Sequence, residues 1–158
     1  MTTIRRAGEG DAAGCVAVLE GLPDFFTPDT HDEVRAGIAE HDAWVACEGE
    51  GIVGFVLVEA RFPAAAEITF AAVRAGRRGD GIGTRLLDRA LDELRQAGTA
   101  LVEVKTLDAS AGYEPYVATR AFWERHGFRQ IDRIDRLPGW QAGNPAAVYI
   151  ASLAATRG

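Results

Sequence analysis

Cysteine is scarce in this chain, and long apolar runs are missing from it. Two cysteines, Cys15 and Cys47, among 158 residues are too few for a disulfide framework and lack the spacing of a metal site. They read as small buried apolar side chains in a reducing cytoplasm. The most apolar run, Ile52 to Val58, falls far short of the ~18 residues a membrane helix needs. Met1 to Asp11 holds no apolar segment of signal-peptide type, so a folded cytoplasmic protein with no membrane partner is expected. An excess of positive charge is also missing. Seventeen Lys and Arg against 23 Asp and Glu give a net charge of -6, a field that repels phosphate backbones and argues against nucleic-acid binding. Any anionic ligand must then be held by a local basic site.

What is present is ordinary for a globular chain: 47% apolar, 25% charged and 8% aromatic residues. With no repeat and no Ser- or Pro-rich linker, residues 1–158 are expected to form a single domain. Ile4 to Ala7 reads as a strand, and Asp11 as the cap of a helix carrying Cys15, Val16, Val18 and Leu19. Thr30-His31-Asp32-Glu33 has the form of a capping box, which predicts a second helix to about Glu40. Between them lies an acidic and aromatic loop, Pro23 to Asp29. Ala43 to Glu48 and Ile52 to Ala60 form a predicted hairpin, the second run apolar enough for both faces to be covered. Glu67 to Val73 is a further strand. Ile82, Leu86, Leu87, Ala90, Leu91 and Leu94 recur at helical spacing before the stop at Gly98. Leu101 to Val104, Phe128 to Ile134 and Ala146 to Leu153 read as strands, with an amphipathic helix from Tyr116 to His126. One mixed α/β or α+β domain follows, and an edge strand leaves a homodimer open.

The most informative segment is Val73 to Thr84. It joins a strand to a helix, and Gly79, Gly81 and Gly83 permit close backbone approach at a helix start whose N–H groups and dipole attract phosphate. Arg74, Arg77, Arg78 and Arg85 concentrate there the positive charge that the whole chain lacks. No Lys stands where a P-loop requires one, and Thr84 occupies the place of the third glycine of a dinucleotide fingerprint.

This loop resembles that of the GNAT superfamily of acyl-CoA-dependent N-acyltransferases, whose pattern Arg/Gln-x-x-Gly-x-Gly/Ala is filled by Arg78, Gly81 and Gly83 in register with Val73. A second element agrees: Tyr116 to Phe128 looks like the family's late helix, followed by Gly127-Phe128 and a strand. The resemblance extends over nearly the whole chain. It implies a mostly antiparallel central sheet flanked by helices, with a splayed strand pair holding the cofactor, and acetyl-CoA as co-substrate. It implies further that backbone N–H groups of Arg78, Gly79, Asp80, Gly81, Ile82, Gly83 and Thr84 cradle the CoA pyrophosphate, with Arg74 and Arg77 on other phosphates. Main-chain groups of Ala71 and Val73 would pair with the pantetheine arm, with Leu101 to Val104 splaying away through a bulge.

Attack by an amine on a thioester needs a proton acceptor, since a free aliphatic amine is protonated at neutral pH. Glu67 is the first choice for that base and Glu103 the second. Many relatives protonate the leaving thiolate with a Tyr four residues before the Gly of the Gly-Phe pair, but Trp123 stands there, and indole is no acid. Tyr116, or Tyr113, is the substitute. His126 is expected to cap its helix, and Trp44 and Trp140 to be core or rim aromatics. Asp24, Phe25, Phe26, Asp29, Asp32 and Glu33 suit a cationic amine, with amino acid, polyamine, aminoglycoside and protein N-terminus all open. An N-acetyltransferase acting on a small-molecule amine is the leading expectation. A non-catalytic acyl-CoA-binding module, and transfer to a hydroxyl or of a longer acyl chain, are the alternatives.

Overall fold

The computed structural model describes residues 1–153. One sheet of seven strands runs through it in the order β1-β2-β3-β4-β5-β7-β6. The strands are β1 (Thr2–Arg6), β2 (Asp42–Glu48), β3 (Gly51–Phe62), β4 (Ala65–Val73), β5 (Leu101–Leu107), β6 (Arg129–Ile134) and β7 (Ala146–Ser152). Every neighbouring pair is antiparallel except β4 and β5, which are parallel. Four helices, α1 (Ala12–Glu20), α2 (Asp29–Glu40), α3 (Ile82–Gln96) and α4 (Tyr116–Arg125), cover the sheet. The mixed, mostly antiparallel architecture expected from the sequence is therefore present.

The apolar residues of β3 explain the layering. Phe55 and Leu57 face α1 and α2 with Leu19, Val34 and Ile38, while Val56 and Val58 face the opposite cluster with Leu86, Leu87 and Ala90 of α3 and Trp123 of α4. A strand sandwiched in this way must be apolar on both faces, and each such side chain contributes about 1.5–3 kcal/mol on burial. Gly37 lets α2 settle onto β3, because a Cβ there would stand 2.4 Å from a methyl carbon of Leu57.

Two local expectations change. The capping box at Thr30 is not formed: α2 starts two residues earlier, at Asp29 after Pro28, and the Thr30 hydroxyl donates back to the Thr27 carbonyl at 2.6 Å. Proline favours the start of a helix, so it displaces the Thr-x-x-Glu signal. The strand expected to splay, Leu101 to Val104, is the part that stays paired, matching Ala65 to Ile68 residue for residue. The separation begins beyond Val104, where β5 runs on to Leu107. The irregularity lies in β4 instead, where Leu57 faces Phe70 and Val58 faces Ile68, leaving Thr69 as the extra residue of a bulge. From that point β4 follows β3 and β5 follows β7, and the sheet divides.

Candidate active site

The division of the sheet opens a groove of about 1680 Å³, larger than the ~300–1,000 Å³ of common ligand pockets. Its floor is the unpaired end of β4. The amide of Arg74 donates to Val53 of β3 at 2.8 Å, so by the alternation of an antiparallel ladder the backbone groups of Ala72 also turn to β3. Those of Ala71 and Val73 turn to the groove. Beside them on β5 the Thr106 hydroxyl is buried without a hydrogen-bond partner among the described residues.

At one end the groove meets α3. Gly81 precedes the helix at φ 81°, a left-handed conformation suited to glycine, and no side chain caps the first turn among the described residues. Arg78, Gly79, Gly81, Ile82, Gly83 and Thr84 line this end. The N–H groups of a first helical turn have no partners within the helix and carry the positive end of its dipole, so this end is chemically fitted to phosphate. Of the predicted arginines, Arg77 and Arg78 line the groove, but Arg77 is already paired. Arg77 is held by Glu48 at 2.6 Å and Asp80 at 2.8 Å, which keeps the Glu48 carboxyl down at about 2. The Asp80 carboxylate is thereby turned to Arg77, and Arg74 is exposed and stands outside the groove wall. His126 ends α4 as expected, and its ring reaches Thr84 of α3 at 3.1 Å.

The other half of the groove carries the charged chemistry. Glu59, Glu67 and Glu103 stand opposite one another in a row across β3, β4 and β5. Like charges so placed repel, and two cations separate them. Arg61 grips Glu67 with two bonds of 2.7 and 2.9 Å. Lys105 bridges Glu67 at 3.1 Å and Glu103 at 2.6 Å. Glu67 itself is buried. Nothing local in the sequence announces this clamp, because Arg61 and Lys105 meet Glu67 only through the strand pairing.

A strap roofs the groove. The segment 21–28 between α1 and α2 is fastened to the opposite wall by Tyr113, whose hydroxyl donates to the Asp24 carbonyl at 2.8 Å, and by Tyr116, whose hydroxyl donates to the Phe25 carbonyl at 3.1 Å. Burial, reinforced by the neighbouring Tyr113, raises the phenol of Tyr116 above its ordinary value. Trp123, five per cent exposed, packs edge-on against Phe122 and Phe128. Trp140 reaches the groove from the segment between β6 and β7, a placement with no local signal. Among the described residues, no group of three or more His, Cys, Asp or Glu is arranged to hold a metal ion, and no helix is long and apolar enough to cross a membrane.

Solved structures share this architecture. A GNAT-family protein from Desulfovibrio desulfuricans matches with a TM-score of 0.84 at 23% identity over 98% of this chain and 100% of its own. The ribosomal-protein-S18-alanine N-acetyltransferase of Escherichia coli matches with a TM-score of 0.81 at 17% identity, over 99% and 97% of the two chains. An aminoglycoside 6'-acetyltransferase of type Ii matches at 0.77 and 19%, over 98% and 99%. No curated protein sequence matches the chain. The family model for the GNAT acetyltransferase domain matches residues 39–130, more than half of the sequence and the part that holds both the split strand and the glycine loop. The chain belongs to the GNAT acetyltransferase family.

Proposed function

We propose that this protein is an acetyl-CoA-dependent N-acetyltransferase that acylates the primary amine of a small cationic acceptor by direct attack within a ternary complex. The observation that carries this reading is the split between β4 and β5: it turns the backbone of Ala71 and Val73 to a groove that ends at the uncapped start of α3. A slender amide-bearing arm would pair with Ala71 and Val73 as an added strand does, and its phosphates would meet the N–H groups from Arg78 to Thr84. The backbone of Asp80 belongs to the same turn, and Arg74, outside the groove wall, would have to swing inward to reach a phosphate.

In the transfer, a C–N bond forms at the thioester carbonyl carbon and the C–S bond breaks. Glu67, directly or through water, takes the proton the attacking ammonium must lose. The N–H of Val73 stabilises the negative charge gathering on the carbonyl oxygen. Tyr116, kept protonated by burial, supplies a proton to the departing thiolate after giving up the Phe25 carbonyl, and the second proton lost by the acylated nitrogen restores the phenol, directly or through water. Asp24, Asp29, Glu33, Glu40 and Glu59 line the acceptor half beside Phe25 and Phe26, which favours a cationic acceptor. The aminoglycoside acetyltransferase among the structural neighbours is named for such a substrate.

Trp123 favours a second reading, a non-catalytic acyl-CoA-binding module, because an indole stands where many relatives place their acid. Calorimetric titration with acetyl-CoA, followed by thiol release over a panel of amines, separates the two. Binding that weakens at least tenfold in Arg78→Ala, with turnover of a cationic amine, is expected. Binding without any turnover supports the module, and absence of binding overturns both readings.

A further inference from the structure

We propose that Phe25 is a positioning residue that competes with the phosphates of acetyl-CoA for Arg78, so that cofactor binding and the setting of the acceptor loop are thermodynamically linked; this rests on the acetyl-CoA reading above. Among the described residues, two hydrogen bonds and one cation–π contact hold the strap 21–28 from across the groove, beside the ring contacts of Phe25 with Tyr116 and of Phe26 with Phe70. The hydrogen bonds run from Tyr113 and Tyr116 to main-chain carbonyls. The cation is Arg78, whose guanidinium carbon lies 4.7 Å from the centre of the Phe25 ring.

Arg78 immediately precedes Gly79 in the glycine loop, so the group placed to meet a pyrophosphate at the start of α3 rests instead on the acceptor loop. A guanidinium gains more from a bidentate, charge-assisted pair with phosphate oxygens than from the face of a half-buried Phe. Phosphate arriving at α3 therefore draws Arg78 from Phe25 and leaves the strap to its two hydrogen bonds and its ring contacts. The change does not stop at one ring. Phe25 packs on Tyr116 at 5.1 Å and on Phe26 at 6.4 Å between ring centres, and its carbonyl holds the Tyr116 hydroxyl. A shift of Phe25 thus reaches both the acceptor wall and the phenol. Linkage is reciprocal: the factor by which acetyl-CoA loosens the strap is the factor by which the strap weakens acetyl-CoA.

The test is the affinity for acetyl-CoA, measured by calorimetry on the wild type, Phe25→Leu, Phe25→Trp and Tyr113→Phe. Removing the competing ring in Phe25→Leu is expected to tighten binding about two- to five-fold, the worth of an exposed cation–π contact. The richer face of Phe25→Trp is expected to weaken it. Lost packing alone would weaken binding in Phe25→Leu, so the sign of the change is the diagnostic. Unchanged or weaker binding by Phe25→Leu, with the wild type binding normally, overturns the proposal. Tyr113→Phe, which loosens the strap without touching Arg78, is expected by the same linkage to tighten binding less than Phe25→Leu does, and weaker binding in Tyr113→Phe overturns the linkage. If Phe25→Leu does not fold, Phe25→Trp decides alone, and unchanged or tighter binding refutes the competition. Failure of the wild type to bind acetyl-CoA defeats the cofactor reading itself and this inference with it.

Discussion

Replacing Glu67 by Gln separates the stability of the glutamate row from its chemistry. The substitution keeps the shape and removes one charge. Arg61 and Lys105 each lose an ion pair with Glu67, but Arg61 still has Glu59 at 3.6 Å and Lys105 still has Glu103 at 2.6 Å. The Arg61 side chain is 49% exposed, so its lost pair is worth at most about 1 kcal/mol, and the less exposed Lys105 keeps its charge paired with Glu103. Against this, the central charge of three aligned carboxylates disappears, relieving two cross-strand repulsions of roughly 0.2–1 kcal/mol each. The two sides nearly cancel. The net change in stability is expected within about 1 kcal/mol, a shift of roughly 2–4 °C in melting temperature for a chain of this size. Catalysis has no such compensation, because loss of a general base costs roughly 10²–10⁴ in rate. Thermal unfolding, acetyl-CoA calorimetry and thiol release on one preparation should therefore show a nearly unchanged melting curve, unchanged cofactor affinity and a turnover at least about a hundredfold lower. Wild-type turnover with an unchanged pH profile would remove Glu67 from the mechanism. A collapse of the melting temperature would refute the cancellation.

Acid should weaken the fold through Glu93. Its carboxyl is held at about 2, chiefly by the Trp44 indole N–H, with Arg89 and Arg6 adding to it. The folded form binds that proton more weakly than the unfolded chain, so its contribution is complete above the ordinary glutamate value near ~4.3 and is lost as pH falls toward 2. Denaturant midpoints measured from pH 6 to pH 2 should fall across that window, and Glu93→Gln should flatten the slope. An unchanged slope would show that the contact with Trp44 does not outlast solvent. Burial pushes the Cys15 thiol up to about 12, and Cys47 is buried as well. Ellman's reagent should find almost no thiol in the native protein and two after denaturation; rapid native labelling would contradict the burial.

Much of this fold was legible from apolar periodicity. Leu86, Leu87, Ala90, Leu91 and Leu94 placed α3 because a helix over a sheet must present one apolar stripe, and the unbroken run in β3 announced cover on both faces. The turn of the glycine loop into α3 was legible for a different reason: Gly79 and Gly81 stand between a strand run and a helical stripe, and both take the left-handed backbone that favours glycine. The site of the split was not. Whether β5 leaves β4 before or after Val104 depends on which strand carries the bulge, and Thr69 has no sequence mark distinguishing it from Ile68. The clamp of Arg61 and Lys105 on Glu67 was equally hidden, since it joins residues 6 and 38 positions apart through pairing alone. Nor did the spacing show that the Tyr116 hydroxyl is engaged by the strap, a contact across 91 positions.

The divided sheet has a consequence for how the protein lives among its neighbours. A strand edge with bare amides is ordinarily an invitation to other chains, which add to it and begin aggregation. Here the bare edge at Ala71 and Val73 belongs to a central strand, set inside the sheet between helices on both faces and crossed by a loop that two tyrosines hold in place. Burial inside the sheet, beneath a fastened loop, sets this edge apart from the outer strands β1 and β6, which end the sheet.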